Sequence, residues 1–217
     1  MGSVSNRVGE LQLKKVCFGI LALCFLGSAT TAAAAELKPY LGLGVGSFNV
    51  KYSERTPLGN LDMSGETWGA FLKGGVQYGD YVGMELRAGT TGNVSSLFPP
   101  NTIGNAAPLD LKIGSEYQLS YLFKPQYPVK ERLSVYALLG GTMAKFLTKS
   151  SGGVQQSAST WKTGFTYGLG LEYQFRLNGS LAIEWVQYWT DVDMAITNAG
   201  RSKASIRGAS LLVNKFF

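Results

Sequence analysis

Histidine is absent from all 217 residues. A Ser–His or Asp–His catalytic pair cannot be built without it, and imidazole-based metal sites are excluded. Cysteine is nearly absent: Cys17 and Cys24 both lie in a short apolar segment near the N-terminus. The remainder therefore has no disulfide framework and no thiolate metal site. Beyond residue 35 no apolar run approaches the ~20 residues that a membrane-spanning helix needs. A chain of this kind that enters a membrane must do so as a closed barrel, because only helices and barrels satisfy their backbone in lipid. Positive charge is not gathered into a stripe of the kind that nucleic acid selects, so no nucleic-acid partner is expected.

The first thirty-five residues carry Arg7, Lys14 and Lys15, then an apolar run from Val16 to Leu26, then small residues ending in four alanines. A basic region, a short apolar core and an A-x-A site make a secretory signal peptide. Cleavage is expected after Ala35, with Ala33 and Ala35 as the small residues. That divides the chain into a signal peptide, 1–35, and one mature domain, 36–217. Residues 1–35 hold three cations and one anion, so the net charge falls from +6 to +4.

The mature chain alternates apolar with small or polar residues in eight segments, at about 40–52, 67–78, 81–90, 109–123, 132–146, 160–175, 180–191 and 204–217. In the fourth, Leu109, Leu111, Ile113, Tyr117, Leu119, Tyr121 and Phe123 alternate with Asp110, Lys112, Gly114, Glu116, Gln118 and Ser120. Short connections, including Gly79-Asp80 and Asn178-Gly179, follow the second, fourth and sixth segments. Long ones follow the first, third, fifth and seventh. This is the pattern of a transmembrane β-barrel. The expected fold is all-β: an eight-stranded antiparallel up-and-down transmembrane β-barrel, its last strand closing on its first, both termini in the periplasm. A bulge is expected at Gly140-Gly141, because Lys145 otherwise falls on the apolar face.

A soluble sandwich also alternates, but its second face is an ordinary charged surface. Here the second face is rich in Gly, Ser and Thr. Trp68, Trp161 and Trp189 fall at one end of their strands, and Tyr78, Tyr121, Phe123, Phe175 and Phe217 at the other. Two aromatic girdles are what a bilayer selects. By strict alternation Lys73, Arg87, Lys112 and Lys162 point inward with Glu85, Asp110, Glu116, Glu172 and Glu184. An eight-stranded bore is narrow enough to be filled by side chains, so these charges read as a space-filling network rather than an ion path.

The glycine-alternating first strand, the strand count and the ending Leu211-Leu212-Val213-Asn214-Lys215-Phe216-Phe217 resemble the small outer-membrane β-barrels of the OmpA/OmpX type, the porin-family or outer-membrane β-barrel domain proteins. The resemblance covers residues 37–217. It implies residence in the outer membrane of a Gram-negative bacterium, contact with outer-membrane lipid and lipopolysaccharide, and recognition of the C-terminal strand by the barrel-assembly machinery. Phe217, Val213, Leu211 and Ala209 match that terminal signal and Lys215 departs from it. Enzymatic barrels of this membrane resemble one another in relying on a catalytic histidine, which is missing here. The resemblance thus implies a monomeric, non-enzymatic protein without cofactor or metal, with a structural or surface-contact role and a host or surface ligand at its external loops. A porin-like small-solute channel is the alternative reading.

Overall fold

The computed structural model describes residues 37–217 apart from 58, 103–106, 152–155, 177 and 193–200. Among the described residues, nine antiparallel strands make one sheet: β1 (Leu37–Thr56), β2 (Gly59–Tyr78), β3 (Val82–Thr91), β4 (Asn93–Phe98), β5 (Leu109–Lys130), β6 (Leu133–Ser151), β7 (Gln156–Arg176), β8 (Gly179–Val192) and β9 (Arg201–Phe216). β1 pairs with β2 on one side and β9 on the other, and β3 pairs with β5, so the sheet closes on itself. β4 follows β3 after a break at Gly92 and pairs with β5 alongside it. The ring therefore has eight positions, and closure removes the free edges of an open sheet.

Much of what was expected to be long loop is strand. The ladder between β1 and β2 runs out to Thr56↔Gly59, and that between β6 and β7 to Ser150↔Gln156. β4 occupies part of the expected loop 91–108. At the other end β5 runs on through Pro125 and Pro128 to Lys130, leaving a tight connection at Glu131 and Arg132. The turn after β2 uses Gly79 at φ 59°, a left-handed conformation that glycine adopts without strain. One end of the barrel thus carries tight turns and the other carries long hairpins. We call these the turn half and the hairpin half.

The two halves are built with opposite polarity. In the turn half Leu41, Leu43, Val45, Leu72, Met84, Leu86, Leu169, Ile183, Leu211 and Val213 are exposed on the outside, while charged and polar side chains are buried inside together with Phe71, Leu122, Leu138 and Leu212. In the hairpin half the inside is apolar. Phe48, Val50, Tyr52, Leu61, Met63, Val94, Phe98, Leu111, Ile113, Phe146, Tyr188, Trp189 and Ile206 are all buried there. Their outward neighbours on the same strands include the exposed Lys51, Arg55, Asp62, Ser64, Glu66, Lys112 and Arg207.

Two devices produce the inversion. On β1, β2 and β9 the outward apolar row stops partway: on β1 Val45 is the last apolar residue facing out, and Phe48, Val50 and Tyr52 then fill the inside. On β5 and β8 the parity of the apolar residues stays constant and the backbone slips instead. A register shift between Ser115 and Tyr117 turns Leu111 and Ile113 inward although Leu119 and Tyr121 face out. A second, between Gln187 and Trp189, does the same for Trp189. Each β-bulge moves every residue beyond it to the other face. No irregularity falls at Gly140 and Gly141, which pair regularly with Leu122 and Tyr121, so the expected bulge is displaced to β5.

Candidate functional site

The turn-half interior holds two linked groups of charges. In the first, Lys73 Nζ lies 3.0 Å from Glu85 Oε2. Arg87 bonds Glu85 through Nε and grips Glu184 with Nη1 and Nη2, the latter at 2.8 Å from Oε2. Tyr40 donates its hydroxyl to Glu85 at 2.8 Å and Tyr136 donates to Glu184 at 3.1 Å. In the second, Lys124 Nζ lies 2.6 Å from Glu172 Oε2, and Asn214 Nδ2 donates to Glu172 Oε1 at 2.9 Å. Ser180 donates to the same carboxylate. Lys124 also sits 4.5 Å from the centre of the Tyr136 ring, where a cation meets the negative face of the aromatic.

Three cations thus meet three carboxylates, and every one of the six is buried. A charge out of water costs several kcal/mol unless a partner and further hydrogen bonds compensate it. Here each carboxylate has at least two donors. Glycine makes the room: a Cβ on Gly170 would collide with the Tyr136 ring, and one on Gly44 with Phe71. Above the charges, the hydroxyls of Ser120, Thr142 and Thr166 form a chain with 2.7 Å steps, ending 3.0 Å from the Tyr188 carbonyl. This polar layer separates the charged interior from the apolar one.

Of the nine charged residues expected inside, the structure brings together Lys73, Glu85, Arg87, Glu172 and Glu184. Lys112 and Glu116 are corrections. Both are exposed, Lys112 3.5 Å from Asp110 and Glu116 2.7 Å from Lys145. The slip between Ser115 and Tyr117 is the cause, since it separates their end of β5 from the alternation below. Asp110 is half-buried and belongs to that outer pair. Lys162, half-buried, lies in the hairpin half, away from the charged groups. Lys124 was missed, at only 1% exposure, because Pro125 and Pro128 suggested that the strand had already ended. Simple continuation of the alternation past Phe123 would have found it.

The aromatic positions sort similarly. Trp68, Tyr78, Tyr121, Phe123, Trp161, Phe175 and Phe217 all face outward and are exposed. Trp189 does not: it is 1% exposed, packs edge-on against Phe146 with ring centres 5.2 Å apart, and donates Nε1–H to the Thr142 carbonyl at 3.2 Å. The β8 slip places it inside, and Trp185 is the outward tryptophan of that strand.

The sequence matches the model of the outer membrane protein beta-barrel domain over residues 18–211. The chain belongs to that family. No curated protein matches it. Among solved structures, the chain is similar to Ail, the attachment invasion locus protein of Yersinia pestis in complex with the heparin analogue sucrose octasulfate. Identity there is 17%, covering 82% of this chain and 99% of that one, with a TM-score of 0.47. It is also similar to neisserial surface protein A, at 12% identity over 81% and 97% with a TM-score of 0.45. A third is the N-terminal β-barrel domain of Pseudomonas aeruginosa OprF, at 13% identity over 79% and 97% with a TM-score of 0.41.

Membership of the outer-membrane barrel family places the chain in the outer membrane of a Gram-negative bacterium. Such barrels keep tight turns on the periplasmic side and longer connections outside. The hairpin half is therefore the external half. A 20-residue strand such as β1 extends roughly 66 Å. Tilted by ~40°, it rises about 50 Å along the barrel axis, twice the ~25 Å apolar band of such barrels. The apolar exterior of the turn half supplies that band. The hairpin half stands clear of it as a water-facing extension with its own apolar core.

Proposed function

We propose that this protein is a non-enzymatic surface-contact barrel whose working part is the external extension. The observation that carries this reading is the polarity inversion itself. A barrel needed only to span lipid could stop where the outward apolar side chains stop. This chain instead invests about half of β1 and β2 in a second core whose outside is polar and carries charges of both signs. Such a rigid platform holds polar side chains well above the bilayer, suited to contact with a host or other surface ligand. The turn half anchors it in lipid and lipopolysaccharide. Export by cleavage after Ala35, insertion by the barrel-assembly machinery reading the outward row Ala209, Leu211, Val213 and Phe217, and a monomeric state complete the proposal.

The interior favours a plug over a channel: its paired charges and the filled apolar zone above them leave ions no matched path. The test has two arms. Cells displaying the chain are measured for attachment to epithelial monolayers against cells without it, and purified protein is recorded in planar bilayers. The reading expects a gain in attachment and no reproducible conductance steps. Stable open steps with no gain in attachment would overturn it in favour of a small-solute channel.

A further inference from the structure

The outward apolar rows of the barrel do not end at one height. Ladder pairs lead from Pro39 through Val76, Met84, Phe123, Leu139, Tyr167, Gln187 and Arg207 back to Asn49, ten residues further along β1. The ladder therefore climbs about 1.25 residues per strand, and each residue rises about 2.5 Å along the axis at the ~40° tilt of such strands. Corrected for that climb, Phe175 on β7, Phe217 just beyond β9 and Leu37 on β1 lie within about one residue of the same height. The inner rim is level across this part of the wall.

The outer rim is stepped. On β7 the exposed row Phe175, Tyr173, Leu171, Leu169, Tyr167, Phe165 and Trp161 is broken only by Thr163. That row spans about 35 Å of axial height. On β9 the apolar row ends at Ala209, about 20 Å above Phe217, and the exposed Arg207 follows. On β8 it ends at Trp185 and on β1 at Val45. Arg207 is level with Phe165, and Lys51 and Lys203 are level with Trp161, to within about one residue. On the far side, Trp68 of β2 brings the apolar row back up to the height of Arg207. Arg207 is not an isolated cation that could reach upward out of lipid by itself. Its ladder neighbours are Asn49 and Gln187, and Glu66 lies beyond Asn49, so a whole polar row crosses this sector.

We propose that β8, β9 and β1 form a lipid-thinning face, at which the outer headgroup layer dips by about 10 Å relative to β7. A tilted barrel does not resolve the step, because tilting displaces both rims of one side together and the inner rim is already level. Burying the polar row in hydrocarbon is the costly alternative, since cations at membrane depth are expensive. A short apolar stretch is instead met by local thinning of the bilayer around it. The partner of this face is the lipid itself: headgroup phosphates meet Arg207 at a height where Phe165, on the other side of β8, still lies among acyl chains. The dip falls on the strand pair β1 and β9 that joins the two ends of the sheet sequence. The inference goes beyond the surface-contact reading and does not depend on it.

The test uses the full chain expressed in a Gram-negative host, extracted from outer membranes and reconstituted into palmitoyl-oleoyl phosphatidylcholine vesicles. Single added cysteines carry a nitroxide label, and protein without an added cysteine gives the background. Depth is read from the ratio of nickel-chelate to oxygen collisions with the label, which rises toward water. Thr163 on β7 lies about 4 Å higher on the barrel axis than Arg207 on β9. A level lipid boundary would therefore make a label at 207 the deeper of the two. The expected result is the reverse: a collision ratio several-fold higher for Arg207→Cys than for Thr163→Cys. Asn49→Cys on β1, at nearly the height of Thr163, gives a second reading that keeps Arg207 in place, and its ratio should also exceed that of Thr163→Cys several-fold. At the inner rim Tyr173→Cys and Lys215→Cys should give equal ratios. Ratios at 207 and 49 no higher than at 163 would overturn the inference. An inner pair offset by a matching step, with the label at 215 deeper than that at 173, would mean a rigid tilt and overturn it too.

Discussion

On β1, Leu41, Leu43 and Val45 face outward in the turn half, while Phe48, Val50 and Tyr52 face inward in the hairpin half. On β7 and β8 of the turn half the inward positions hold Glu172 and Glu184, and on β2 of the hairpin half the outward ones hold Asp62 and Glu66. One strand therefore serves two solvents. Where lipid is outside, the outward rows are apolar, and the interior holds paired charges packed among Phe71, Leu122, Leu138 and Leu212. Where water is outside, the ordinary arrangement returns. The lesson is that burial carries different chemistry in the two halves: one combines ion pairing with apolar packing, the other relies on the hydrophobic effect.

The largest expected effect comes from breaking the ion-paired half. Glu184→Ala removes one of the two carboxylates that pair with Arg87, a buried guanidinium, and should destabilise the barrel by about 3–5 kcal/mol in a reversible unfolding titration. Removing both partners with Arg87→Leu/Glu184→Leu should cost much less than the sum of the single changes, since neither residue then leaves an unpaired buried charge. The outward face gives the next contrast. Leu169→Arg places a cation in the lipid-facing band and should cost about 2–4 kcal/mol in a bilayer. Ser64→Arg occupies an equally outward position of the extension and should stay within about 0.5 kcal/mol of wild type. Equal costs for the two would mean that the hairpin half also faces lipid. Within the extension, Ile206→Val removes one methylene from the apolar core and should cost about 0.5–1.5 kcal/mol. Leu97→Arg, exposed on β4, should change stability by less than about 0.5 kcal/mol.

Much of this was open to reading in the sequence. The ring of eight, the closing pair β1 and β9, and the outward apolar rows all follow from alternation with period two. The parity change on β1 was also legible: Val45 and Phe48 are three apart, an odd spacing that alternation alone never produces. It was hidden because the glycines between 42 and 46 and the breakers near 57 made residues beyond 52 look like loop. The slips on β5 and β8 were not legible. Leu111, Ile113, Leu119 and Tyr121 keep one parity throughout, and nothing local marks that the backbone gains a residue between the two pairs. That is why Lys112 and Glu116 were expected inside and Trp189 outside. Lys124 was hidden by its prolines, which a strand tolerates near its end. The pairing of charges in three dimensions, such as Arg87 with Glu184, depends on strands brought together across the bore, which alternation cannot specify.

Trp185 and Trp189 offer the most direct test of the inversion, because they lie four residues apart on one strand, one facing lipid and one in the external core. Single-tryptophan proteins retaining only one of the two, each with the other tryptophans replaced by phenylalanine, would be reconstituted in bilayers containing brominated acyl chains. Bromine quenches indole fluorescence only at short range. The account predicts strong quenching of Trp185 and almost none of Trp189. Comparable quenching of both would place them on the same lipid-facing surface and contradict the two-zone barrel.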